Sequence, residues 1–384
     1  LPGHVRDWVT SLDFNDLVLK GLLGFLLFAG ARKIDLGRLM DRLWPISIFA
    51  LGGVILSAFI IAAALAGLSQ WLGLGLSFLE CLLFGAIISP TDPIAVLAIL
   101  RQVGAPKNLE MDIEGESLFN DGIGVVLFIV VMRVMVSPGD VGIGTVLGLF
   151  GVEAVGGVAL GFAFGFFASR MIRSNQDPRT QLLLTLCIAT GGYQLADALH
   201  ASGPLAMVVS GIVVGNHEDW IEPTCRAHLD SFWDMIDEVG NAVLFMLVGL
   251  ELLLVGHEAL PEWRTCALAA GLAVPLVLVS RWVALAGPLW ALKRKHAFDP
   301  GALTIMTWGG LRGGLPLAMA LCIATPAVQM ATDHIPRSQT VDRAMLLMMT
   351  YTVVVFSILV QGVTIKPLLR RYATKLSFGS VGGR

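Results

Sequence analysis

The chain has 384 residues, of which 55% are hydrophobic and only 14% charged, with a formal net charge of −3. A water-soluble domain carries about 25% charged residues, so most of this surface must face something other than water, and a soluble enzyme is excluded. The net charge of −3 by itself says nothing about partners; no nucleic-acid partner is expected.

In chain order, eleven hydrophobic segments are expected, near 17–31, 44–68, 76–100, 114–136, 142–170, 180–198, 201–216, 232–256, 263–292, 299–324 and 343–367. The predicted fold is an all-α polytopic membrane protein. Lys and Arg in the connections alternate along the chain. Arg32, Lys33, Arg38 and Arg42 follow the first segment, whereas the loop after the second has none. Arg101 and Lys107, then Arg170, Arg173 and Arg179, then Lys293, Arg294 and Lys295 fall on that same side. So does the tail with Lys366, Arg370 and Arg371. This bias makes that side, including the C-terminus, cytoplasmic. The five cysteines are scattered without ligand spacing, and no two histidines lie four apart. Neither a bound metal centre nor a cofactor is expected.

Two segments are interrupted in mid-membrane. The third reads FGAIISPTDPIAVLAIL, where Pro90 and Pro93 bracket Thr91-Asp92. Proline removes an amide donor and clashes with the preceding turn, so the helix stops there. Asp92 at the N-cap and Pro93 at the first helical position would restart it. The tenth reads TWGGLRGGLPLAMAL, with glycines and Pro316 around Arg312. Irregular backbone at this depth survives only inside protein or beside a water-filled cavity. The two breaks are seven segments apart, so their orientations are opposite, as in inverted repeats with discontinuous helices. Asp92 then lies at a positive helix end, and Arg312 could offset the carbonyl ends of both helices. The same offset leaves the sixth and seventh segments without counterparts, so two further helices are expected before residue 1, thirteen in all.

The fourth segment carries Gly115-Glu116-Ser117-Leu118-Phe119-Asn120-Asp121. A carboxylate at the bilayer centre costs about 2.5–3.5 kcal/mol on insertion scales, so two of them with polar neighbours imply a function. Ser117, Asp121 and Gly124 share one helix face, and Glu116 and Asn120 lie on a neighbouring stripe. Arg281, inside the ninth segment, is the candidate partner for one acid, since guanidinium suits buried bidentate pairing. Glu116–Arg281 reads as structure, which leaves Asp121 to titrate.

The combination of SPTDP, GESLFND, an in-span Arg and WGGLRGG resembles the NhaP-type branch of the monovalent cation/proton antiporters, which also includes the eukaryotic sodium/proton exchangers. The likeness spans essentially the whole chain, including SGPLAMVVSGIVVGN at 202–216 and FWDMIDEVGNAVLFMLVGLE at 232–251. It implies a homodimer in which a mobile core moves against a dimerisation domain. On this chain, residues 1–43 and 180–256 would belong to dimerisation, 44–136 and 257–370 to the core halves, 137–179 to a linking helix and 371–384 to a cytoplasmic tail. It also implies that Asp121 binds the ion or proton, that Thr91 and Asp92 line the crossing, and that Ser117 and Asn120 assist. Na+ would sit on Asp121, Ser117 and Thr91, and an Asn before the acid implies one cation per proton. One departure is Ala29, where some prokaryotic relatives carry an acidic residue.

The expected activity is exchange of Na+ or Li+ for H+ across a bacterial or archaeal cell membrane, with Asp121 alternately protonated and cation-bound. K+ in place of Na+ is the alternative within the same fold. A proton channel, or a transporter-like sensor with its output domain trimmed, is the alternative from another class. An intramembrane hydrolase built on Ser117 lacks a His or Lys base on a neighbouring segment.

Overall fold

The computed structural model describes residues 18, 21–136, 142–175, 177–216, 223–255, 263–294, 298, 301–323 and 343–379. These are helical nearly throughout: α1 Leu23–Arg32, α2 Leu36–Asp41, α3 Leu43–Leu72, α4 Phe78–Ile88, α5 Ile94–Val103, α6 Lys107–Val136 and α7 Ile143–Ser174. There follow α8 at 178–198, α9 Gly203–Asn216, α10 Pro223–Val255, α11 Trp263–Leu292, α12 Ala302–Trp308, α13 Gly314–Cys322 and α14 at 343–379. α3, α8 and α14 each contain one π-helical turn, at Ile48–Gly52, Ile188–Gly192 and Ser357–Gln361. Among the described residues, five helices are long and apolar enough to cross a membrane: α3, α6, α7, α11 and α14. The helices 23–32, 78–88, 94–103 and 203–216 are apolar but shorter. The outermost part of the first expected segment and the end of the expected tail, 380–384, lie outside the described residues.

Local chemistry sets the ends. Ser77 and Glu80 form a reciprocal capping box at the start of α4. Asp177 caps α8, with Pro178 at its first position. Gly73 and Gly104 take left-handed φ of 68° and 67° to end α3 and α5.

The chain divides into two compact units. One comprises residues 1–37, 125–259 and 321–334. Within it α9 packs between α1 and α7. The α7 run Gly157, Gly161, Gly165 faces α9 so closely that a Cβ at Gly157 would lie 2.7 Å from the Ser202 carbonyl oxygen. Such small-residue spacing lets helix backbones approach where lipid supplies no hydrophobic drive between them. Away from that face α7 exposes Val152, Val155, Phe162 and Phe166, the pattern of a helix bathed in lipid. Arg133 and Glu153 pair at 2.7 Å, with Glu153 buried. Arg32 pairs with Asp230 at 2.6 Å, and Lys33 with Asp234 and Asp237. Attraction of these two carboxylates outweighs the burial that opposes it and raises the Lys33 ammonium above its usual range.

The other unit comprises residues 38–124, 260–320 and 335–384. Here α3 packs on α4 and α11, and α11 on α14. Gly85 brings α4 within 2.5 Å, for a Cβ, of the Ala58 carbonyl oxygen on α3. Buried Arg42 holds Asp112 and lies 5.2 Å above the Phe298 ring. Both interrupted helices belong to this unit.

Candidate functional site

The breaks fall where the prolines and glycines dictate. α4 ends at Ile88 and α5 begins at Ile94; α12 ends at Trp308 and α13 begins at Gly314. The two non-helical stretches meet in an antiparallel bridge between Asp92 and Leu311, with the Asp92 N–H donating to the Leu311 carbonyl at 2.8 Å. This pairing draws Asp92 out of the helical start, so the N-cap is Pro93 rather than Asp92, one residue later than expected. The Asp92 carboxylate still accepts from the Ile94 N–H at 3.0 Å.

Two glycines make room for the crossing. A Cβ at Gly124 on α6 would collide with the Pro90 ring, and one at Gly313 with the Asp92 carboxylate. A Cβ at Gly310 would lie 2.7 Å from Arg281 Nε.

Glu116 and Asp121, both on α6, have different surroundings. Glu116, 1% exposed, takes a bidentate pair from Arg281: Nη1 to Oε1 at 2.7 Å and Nη2 to Oε2 at 2.8 Å. Arg281 Nη2 also reaches the Met306 carbonyl at 3.4 Å. Asp121 is half-buried and makes no hydrogen bond or ion pair among the described residues. Its electrostatic neighbours are Asp92, Glu116 and Arg312.

Asn120 is fully engaged. Its Oδ1 accepts from the Thr91 N–H at 3.2 Å, and its Nδ2 donates to Thr91 Oγ1 at 2.8 Å and Glu116 Oε1 at 3.0 Å. The amide therefore buckles the first break to the Glu116–Arg281 pair. Thr91 Oγ1 and Ser117 Oγ lie 3.3 Å apart. Thr91, Ser117, Asn120 and Glu116 are buried, while Asp92 and Asp121 are partly open.

Arg312, buried, donates through Nη1 to the carbonyls of Ser89 and Pro90, at 2.6 Å for the latter. It thus serves the carbonyl end of α4. The carbonyl end of α12 goes elsewhere, because Gln361 Nε2 donates to the Trp308 carbonyl at 3.0 Å. The Arg312 N–H in turn donates to Ser357 Oγ at 2.8 Å. Neither Ser357 nor Gln361 was singled out from the sequence. Their signal is a polar pair four apart within an otherwise apolar run.

All eight residues selected from the sequence lie in one unit, around one crossing of broken backbone. The arrangement offers hard oxygen ligands of the kind a small alkali cation takes: the Asp121 carboxylate and the Ser117 and Thr91 hydroxyls. No cluster of three or more His, Cys, Asp or Glu suited to a bound metal occurs among the described residues.

The profile of the family described as "Sodium/hydrogen exchanger, transmembrane" matches residues 2–371. The Na(+)/H(+) antiporter NhaP of Pseudomonas aeruginosa is 39% identical over 377 residues, covering 97% of this chain and 84% of that protein. The Na(+)/H(+) antiporter NhaH of Halobacillus dabanensis is 31% identical over 364 residues, 93% of this chain and 83% of that one. Among solved structures, the sodium proton antiporter MjNhaP1 of Methanocaldococcus jannaschii at pH 8 superposes with a TM-score of 0.73, covering 92% of this chain and 84% of its own. Its identity to this chain is 18%, so that likeness speaks to the fold.

Proposed function

This chain belongs to the sodium/hydrogen exchanger family, whose similar members are antiporters and not enzymes, and on that premise we propose that it exchanges Na+ for H+ across a membrane, with Asp121 as the acid that carries either one. The observation that carries this reading is the contrast between Glu116 and Asp121 on α6. Glu116 is already neutralised by Arg281, whereas Asp121, five residues on, makes no hydrogen bond or ion pair among the described residues and is only partly buried.

The charges of the cluster limit the exchange ratio. Asp92, Glu116 and Asp121 face Arg281 and Arg312, so with every acid ionised the cluster holds one net negative charge. One proton or one Na+ brings it to neutral. Moving an uncompensated charge through a low-dielectric barrier is costly, so the neutral forms cross and the bare carboxylate does not. Obligatory one-for-one exchange follows, and the cycle feels no membrane voltage, which otherwise contributes about 2.3 kcal/mol per charge per 100 mV.

In the cation-bound form, Na+ sits on the Asp121 carboxylate with the Ser117 and Thr91 hydroxyls. Asn120 and Asp92 shape the crossing, the Glu116–Arg281 pair is the fixed frame, and Arg312 compensates the carbonyl end of α4. Alternating access is elevator-like, with residues 44–136 and 257–370 as the moving core, residues 1–43 and 180–256 in a homodimer contact, and 137–179 linking them. The C-terminus faces the cytoplasm, and the membrane is the cell membrane of a bacterium or archaeon.

The test is exchange in proteoliposomes with Na+, Li+ and K+ in turn, monitored by an internal pH dye across a range of pH. Dissipation of a pH gradient on adding Na+ or Li+, unaffected by clamping the voltage, is the expected result. Proton leak without any counter-cation would identify a channel and overturn the reading.

A further inference from the structure

We propose that Ser357 and Gln361, the first and last residues of the π-helical turn in α14, are positioning residues for the transport site: they clamp the second helix break and through it hold Arg312 and Asp92 in place. The inference rests on the exchange reading above and adds residues to it.

A helix break leaves two kinds of orphan groups, carbonyls at the end of the first half and amides at the start of the second. The π-helical turn meets one of each with matched polarity. Gln361 Nε2, a donor, takes the Trp308 carbonyl at 3.0 Å, and Ser357 Oγ, an acceptor, takes the Arg312 N–H at 2.8 Å. The separations match as well. Trp308 and Arg312 are four residues apart, Ser357 and Gln361 are four apart, and the pairing is antiparallel. One helical turn is thus laid along one break. Both side chains are buried, Ser357 fully and Gln361 at 3% exposure, so water does not compete for these bonds. A third contact anchors the same tryptophan from outside: Trp308 Nε1 donates to Thr364 Oγ1 at 2.9 Å. A π-helical turn inside an α-helix is uncommon and found mostly at functional positions.

The clamp connects to the site in two steps. The backbone it holds bears Leu311, whose carbonyl accepts from the Asp92 N–H, and Arg312, whose guanidinium reaches the Ser89 and Pro90 carbonyls at the first break. Gln361 also lines one small cavity with Arg281 and Arg312. Shifting the clamp therefore moves Arg312 and Asp92, which are electrostatic neighbours of Asp121.

The experiment measures Na+ dependence and pH profile of exchange for wild type, Ser357→Ala, Gln361→Met and Gln361→Glu in proteoliposomes, at matched amounts of folded protein. Leaving a buried donor or acceptor unmet corresponds to a factor of about five or more in an equilibrium. The half-saturating Na+ concentration is thus expected to rise at least about fivefold in Ser357→Ala and Gln361→Met. Gln361→Glu can donate to the Trp308 carbonyl only when protonated, so its loss should deepen as pH rises. If wild type itself shows no Na+-dependent exchange, the functional reading fails. If wild type exchanges and these variants keep its half-saturation and pH profile, the clamp is overturned. Should the buried variants not fold, Gln361→Asn and Thr364→Val carry the same readout, and unchanged half-saturation in both overturns the proposal equally.

Discussion

The amide of Asp92 donates to the carbonyl of Leu311 at 2.8 Å, joining two helices that are each broken at that level. Pairing the breaks satisfies backbone groups that neither helix can satisfy alone, and in a membrane such groups have no water to turn to. It also holds Thr91 against α6, where the Ser117 hydroxyl and the Asn120 amide meet it.

Removing the exchangeable charge should stop transport. Asp121→Asn keeps the shape but neither ionises nor binds a cation as a carboxylate. Na+-dependent proton movement in proteoliposomes is expected to vanish, with the protein folded as judged by its thermal transition. Retained exchange in that variant would sink the assignment.

Breaking the buried pair should act on stability first. Arg281→Ala leaves Glu116 buried, charged and unpaired, a loss of about 3–5 kcal/mol. The double replacement Glu116→Leu with Arg281→Met removes both charges and should recover much of that loss. Thermal unfolding in detergent measures both. A single variant as stable as wild type would show that the pair is not structural.

Close approach at the crossing predicts sensitivity to a single methyl. Gly313→Ala and Gly124→Ala each place a Cβ against the first break, at the Asp92 carboxylate and the Pro90 ring. Overpacking of this kind costs about 1–3 kcal/mol. Exchange should fall in both, whereas Gly271→Ala, where nothing lies within 4 Å of the new Cβ, should behave as wild type.

Outside the membrane, Asp177 predicts a pH dependence with a definite sign. The side-chain bond from the Thr180 hydroxyl and the backbone bond from its N–H hold the Asp177 carboxyl below its usual range. The folded state therefore binds fewer protons than the unfolded one there. The contribution is full above the unfolded value, about 3.9, and is lost as pH falls through the folded one. Hydrogen exchange at the first amides of α8 should distinguish wild type from Asp177→Ala near neutral pH. The difference should shrink in acid.

Much of this molecule was legible in its sequence because membrane burial makes polar residues conspicuous. Long apolar runs announce helices, and Pro90 and Pro93 three residues apart, like the glycines clustered around Arg312, announce breaks, since both disfavour a continuous helix there. Two acids, one hydroxyl and one amide in the GESLFND stretch stand out for the same energetic reason. The Glu116–Arg281 pair was legible as well, from an in-span arginine that needs a buried acid; tertiary structure alone supplied its bidentate geometry across 165 residues and the partnerships around it. That Asn120 is consumed by Thr91 and Glu116 rather than left open follows from where the first break lies. And Arg312, expected to serve both carbonyl ends, serves one, while Gln361 takes the Trp308 carbonyl at the other. Composition reveals that a buried polar group needs a partner; only the packed fold chooses which.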